Sequence, residues 1–72
     1  MYHLTEDRLT VGVFGQRIFT LRFWATTTGI LVVNGMVQQF GEDYRVEGTT
    51  LTWLSEEHTL TSEDQIPFFY QV

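Results

Sequence analysis

Three turn signals fall within 23 residues of this sequence, in LVVNGMVQQFGEDYRVEGTTLTW, residues 31–53. Asn34-Gly35 comes first, then Gly41-Glu42-Asp43, then Glu47-Gly48. Short runs of Val, Tyr, Thr and Trp lie between them, side chains that suit a pleated strand. A chain that reverses so often has no room for long helices. The sharpest of the three signals is Asn34-Gly35. A type I′ turn needs positive φ at both central residues, and Asn-Gly between Val33 and Met36 meets that need locally.

The apolar segments have period two. Residues 17–24 read as a long strand, with Phe19, Leu21 and Phe23 on one face and Ile18, Thr20, Arg22 and Trp24 on the other. Residues 30–33 are continuously apolar, as expected of a strand covered on both sides. Residues 36–40 return from the hairpin. Residues 44–46 and 49–54 form a second hairpin, with Leu51 and Trp53 sharing a face. Residues 65–72 close the chain, with Ile66, Phe68, Tyr70 and Val72 alternating against Pro67, Phe69 and Gln71. Pro67 has no N–H to give, which places the start of this strand at a sheet edge. Residues 1–8 read as an arm or a short edge strand, and residues 9–13 alternate apolar and small side chains. Leu60 is the one large aliphatic side chain between residues 55 and 64, and is expected to plug the core. A short turn of helix fits residues 62–64. The pattern as a whole predicts an all-β fold: a small antiparallel sandwich or barrel of six to seven short strands, in a single domain over residues 1–72.

Size sets the next constraint. Ordering 72 residues costs on the order of 100 kcal/mol, and apolar burial only roughly matches it. Chains of this length usually need a staple. The sequence has no cysteine, and its two histidines, His3 and His58, lie far apart. Disulfides and thiolate zinc are therefore excluded, which leaves oligomerisation. Four arginines and no lysine stand against nine carboxylates, for a net charge of −5. That balance argues against nucleic acid and anionic membrane as partners, since both need a basic face. No apolar run reaches the roughly 20 residues of a bilayer span. The first residues lack the basic and apolar regions of a signal peptide. The expectation is a complete, soluble product made in a cytoplasm.

Catalytic and metal chemistry find little footing. Glu42-Asp43 and Glu56-Glu57 are adjacent pairs, which on a strand face opposite sides and so do not converge on a substrate. His58 with Glu56 and Glu57 matches no metal-ligand spacing, and Glu42, Asp43 and Glu47 lack the oxygen density of a calcium loop. Gly12 and Gly15 have neither the lysine nor the helix of a phosphate loop and read as a bulge or turn. No cofactor is expected, and the chain is not expected to be an enzyme.

Aromatic residues are the surplus: six Phe, three Tyr and two Trp. Phe19, Phe23, Trp53, Phe68 and Tyr70 fall on faces expected to be core. Trp24 and Phe69 fall on the opposite faces of their strands. Together with Ile18, they are candidate interface residues, with Arg22 placed to meet a carboxylate across that interface. A sugar-stacking platform is the competing reading of the same aromatics.

The segments LVVNGMVQ, GEDYRVEGTTLTWL and EDQIPFFYQV, in that order, resemble a small β-module of tailed-bacteriophage virion proteins. The matching positions are Val33-Asn34-Gly35, then Gly41, Asp43, Tyr44, Val46 and Gly48, then Leu51 to Leu54, and finally Asp64, Ile66, Phe68 and Tyr70. The resemblance covers about residues 17–72. It implies a β-domain of tail fibres, tail tips or head-attached proteins, non-enzymatic, acting as an adaptor or spacer in trimeric assemblies. The polar stretch 55–61 departs from the Pro- and Gly-containing loop usual before the last strand. The family's module also usually sits inside a longer chain, and a free-standing copy points to a capsid-decorating or connector protein.

Physical roles for the shared positions are structural. Asn34 and Gly35 accept positive φ, and Gly41 and Gly48 release the chain into turns. Asp43 can accept N–H groups of its own loop in an Asx-turn. Tyr44 can bury its ring while bonding its hydroxyl. The expected function is that of a structural virion protein working through contacts with other virion proteins (capsid or tail) and with its own copies, a trimer first. A carbohydrate- or host-receptor-binding module is the alternative.

Overall fold

Asn34 and Gly35 have φ of 51° and 85°, the paired positive values of a type I′ turn. Around that turn the computed structural model describes residues 3–72 as seven strands and no helix. Met1 and Tyr2, at the start of the expected arm, lie outside the described residues. The strands are β1 (Leu4–Leu9), β2 (Ile18–Thr20), β3 (Ile30–Val33), β4 (Met36–Val37), β5 (Tyr44–Glu47), β6 (Thr50–Trp53) and β7 (Ile66–Gln71). They form two antiparallel sheets, one of order β1-β7-β3-β4 and one of order β2-β6-β5. The fold is therefore a small all-β sandwich, as the alternation predicts.

Inward side chains alternate as period two requires. Leu31 and Val33 of β3 and Ile66, Phe68 and Tyr70 of β7 face Phe19, Tyr44, Leu51 and Trp53 of the other sheet. Leu21, Val11 and Leu60 reach the core from irregular segments, Leu60 as the expected plug. The Phe68 ring stacks on Tyr70 at 5.0 Å and meets Tyr44 edge-on at 6.0 Å.

Five expectations about the strands need correction. Only residues 18–20 of the expected 17–24 strand pair, because the β5–β6 hairpin they lie against turns at Gly48. The Leu21 N–H still reaches Thr49 C=O and the Ala25 N–H reaches Gly48 C=O, so the residues between them bulge around the hairpin tip. Phe23 is carried out by that bulge and is exposed, not core. β3 is covered on one side only, since a two-layer sandwich has a single interior, and Ile30 is 53% exposed. The return strand stops at Val37, because Gln39 gives its N–H to the Asp43 carboxylate and the chain turns there. β7 is central rather than an edge strand. Its ladder to β1 runs through Pro67, whereas its ladder to β3 ends at Leu31–Phe68, just short of the missing donor. Residues 62–64 form a turn closed by the Asp64 N–H on Thr61 C=O, without a helix.

Candidate interaction surfaces

Asp7 lies on the inward side of β1, opposite Phe68, and is only 6% exposed. A buried carboxylate needs donors, and it has three sources of them. The Arg22 backbone N–H bonds Oδ2 at 2.9 Å, the Tyr70 hydroxyl donates to the same oxygen at 2.8 Å, and the Arg22 guanidinium pairs with Oδ1. Arg22 also donates to Glu6 C=O at 2.7 Å, and Phe23 N–H donates to the Tyr70 hydroxyl at 3.3 Å. Burial pushes the Asp7 carboxyl up, but the Arg22 N–H, the Tyr70 hydroxyl and the guanidinium together hold it below its ordinary 3.8. Burial, and then donation to Asp7, raise the Tyr70 hydroxyl above its ordinary 10.0. Arg22, expected to meet a carboxylate across an interface, thus finds it in its own chain. Two residues 15 apart on segments that do not pair with each other leave no spacing signal in the sequence.

Asp64 organises a second cluster. Its Oδ1 accepts the Asn34 amide at 2.8 Å, and its Oδ2 accepts the Thr61 N–H at 2.8 Å and faces His58 Nε2 at 3.1 Å. Asn34 Oδ1 in turn accepts the Gln65 N–H at 2.9 Å. The Asn34 amide first, then the Thr61 N–H, outweigh burial and hold the Asp64 carboxyl below its ordinary 3.8. Asn34 therefore does more than tolerate positive φ: it ties the hairpin tip to the loop before β7. Asp43 accepts a backbone N–H of its own loop, as expected, but not at the spacing of an Asx-turn. Its carboxylate accepts the N–H of Gln39, four residues back, and its own C=O accepts Leu54 N–H at 2.8 Å. The Tyr44 hydroxyl donates toward the carbonyls of Thr28 and Gly29, each at 3.0 Å. Gly41 and Gly48 sit in the turns before β5 and β6.

Gly29 carries a role that the sequence does not announce. Its φ is 66°, and a Cβ there would lie 2.6 Å from the Phe68 ring and 2.7 Å from Phe69 C=O. The glycine lets the loop enter β3 in contact with β7.

Outside the sandwich, β1, β7, β3 and β4 turn one side to solvent. The register aligns Glu6 with Phe69 and Phe69 with Ile30, and likewise Arg8 with Pro67 and Val32 with Val37. Ile30, Val32, Val37, Pro67 and Phe69 thus share one outer face. Val37 is 70% exposed, whereas Val32, Pro67 and Phe69 are half-buried. The other sheet's outer face sets Ile18 beside Thr52 and Arg45, and Thr20 beside Thr50 and Glu47. Of the four expected interface residues, Ile18 and Trp24 are exposed, Phe69 is half-buried on the opposite sheet, and Arg22 is engaged with Asp7. The structure does not gather them into one patch. Trp24, 69% exposed, packs its ring over Gly48, where a Cβ would lie 3.1 Å away.

All four arginines have a carboxylate within reach. Arg8 lies 3.2 Å from Glu6, Arg17 3.8 Å from Glu56 and Arg45 4.0 Å from Glu47, while Arg22 holds Asp7. The Arg17 and Arg45 pairs are solvent-exposed and contribute little stability, and the Arg8 pair is partly buried on the Glu6 side. No group of three His, Asp or Glu side chains among the described residues is arranged to hold a metal ion. No helix among them is long and apolar enough to cross a membrane. Comparison with protein-family models, curated proteins and solved structures returns no match.

Proposed function

We propose that this chain is a structural protein of a tailed-bacteriophage virion, made in the host cytoplasm, that works through protein–protein contacts and assembles with its own copies. The observation that carries the reading is the outer face of the four-stranded sheet. Ile30, Val32, Val37, Pro67 and Phe69 lie there as one apolar patch, on a domain too small to gain much stability from its own core. Covering that patch would add buried apolar area without further backbone ordering, since the strands are already ordered, and that gain is set against the entropy of bringing chains together. The virion setting and the preference for three subunits rest on the sequence resemblance. We assign no catalytic role.

Sedimentation velocity at micromolar concentration tests the assembly, with a homo-oligomer expected. An 8.4 kDa monomer at all concentrations would remove it. Mass spectrometry of purified particles tests the location. The rival reading, a carbohydrate- or receptor-binding module, is favoured by Trp24, whose ring is largely open to solvent. Glycan-array binding abolished by Trp24→Ser would establish that reading in place of the structural one.

A further inference from the structure

An open groove of about 810 Å³ runs between the β3–β4 hairpin and the loop after β6. Its lining joins apolar Met36, Val37 and Trp53 to the carboxylate-bearing Glu42, Asp43 and Glu57. Three independent features of this groove converge on one kind of occupant.

The first is a free sheet edge. β4 ends the order β1-β7-β3-β4, and nothing pairs with its outer side. In a two-residue hairpin the residues flanking the turn form the hydrogen-bonded pair, here Val33 and Met36. The next pair, Val32–Val37, is non-hydrogen-bonded, and the Gln38 N–H on Leu31 C=O at 2.8 Å continues the alternation. The N–H and C=O of Val37 therefore point away from β3, into the open side. That one outward donor and acceptor pair is what the two-residue strand offers to the backbone of another strand.

The second feature is exposed apolar surface along that edge. Met36 and Val37 are among the most exposed large apolar side chains of the described residues. A strand laid beside them would cover both.

The third is charge. Glu42, Asp43 and Glu57 have no arginine in contact, while every arginine is engaged with another carboxylate. A second copy of this chain therefore brings no unengaged arginine to the groove. Charge complementarity thus favours a different, basic protein over a second copy.

We propose that the groove is a docking site for an extended, basic segment of another protein. The segment adds as a strand to β4 and sets alternate lysine or arginine side chains against Glu42, Asp43 and Glu57. This site adjoins the outer apolar face and shares Val37 with it, but its backbone edge and its carboxylates lie outside that face.

The test is a nuclear magnetic resonance titration of the full chain with a synthetic strand-length peptide that alternates lysine and threonine. A glutamate–threonine peptide of the same length is the control. Shifts are expected in β4, at residues 42–43 and in the loop after β6, with affinity falling about fivefold or more between low and physiological salt. Glu42→Gln with Glu57→Gln, two side chains that make no hydrogen bond, should weaken binding about fivefold while the spectrum of the fold stays intact. Val37→Pro removes the edge donor and no hairpin hydrogen bond, and should abolish binding. No binding of the lysine peptide, equal binding of the glutamate peptide, or binding retained by either folded variant would overturn the proposal.

Discussion

The four-stranded sheet turns Ile30, Val32, Val37, Pro67 and Phe69 outward, with Glu6 and Arg8 beside them on β1, whereas the three-stranded sheet turns out Thr20, Thr50, Thr52, Arg45 and Glu47, with Ile18 its one large apolar side chain. Both faces belong to regular strands. Threonine, valine and isoleucine meet the backbone's preference equally, because all three are branched at Cβ. They differ in what they ask of solvent. The three-stranded sheet shows that this chain can make strands with wettable outer faces, so the apolar face of its partner sheet is not a by-product of β-structure. It needs another cause, and cover by a second chain supplies one.

The largest expected effect probes how the apolar-faced sheet is held together. Gly29→Ala forces a methyl group against the Phe68 ring and Phe69 C=O at positive φ, and should destabilise by about 3 kcal/mol or more. Gly35→Val has the same φ problem in open space and should cost only about 1–2 kcal/mol. Urea melts of the two variants compare steric closure with backbone strain alone. Equal losses would mean that the close approach at Gly29 is not what joins β3 to β7.

Asp7→Asn comes next, at the seam where β1 meets the segment after β2. Losing the charged acceptor of Arg22 and Tyr70 should cost about 2 kcal/mol at neutral pH. Because the folded Asp7 carboxyl sits below its ordinary 3.8, its contribution is complete above that value and is lost as pH falls through the lower, folded value. Asp64 adds a loss of the same sign. Melting curves from pH 6 down to about pH 2 should show acid weakening that is shallower in the variant. An unchanged acid profile would mean that Asp7 is not the linked group.

The smallest effect on folding bears most directly on the comparison. Ile30→Thr with Val37→Thr gives the apolar face the chemistry of the other sheet, and should change stability by no more than about 0.5 kcal/mol. The same pair should weaken self-association about tenfold by sedimentation. The reciprocal Thr50→Val with Thr52→Val should leave association unchanged. Association indifferent to the first pair would make the two faces equivalent.

Features set by one or two adjacent residues were legible in the sequence. The Asn34-Gly35 turn, the alternation in β6 and β7 and the Leu60 plug each follow from local demands. Features set by a partner segment were not. The strand after Arg17 ends where the hairpin beside it turns, which nothing in residues 17–24 encodes. The same bulge takes Phe23 out of the core and brings Arg22 to Asp7. Pro67 by itself signals an edge, but a central strand tolerates it where the neighbouring ladder stops. The groove beside β4 was illegible for the same reason, since its acids come from two separate loops and only the tertiary fold sets them along one edge.

The pairing of β1 with β7 has a mechanical consequence. Leu4 lies opposite Gln71, and the Val72 N–H donates to His3 C=O at 3.0 Å. A tensile load applied at residues 3 and 72 would pull apart two antiparallel strands from the same end. The six-rung ladder from Leu4–Gln71 to Leu9–Ile66 would then open one rung at a time, with no rung sharing the force with the next. Loaded across its faces instead, the domain bears compression over two packed sheets. A part attached through its surfaces withstands stress that the same part, strung by its ends, would not.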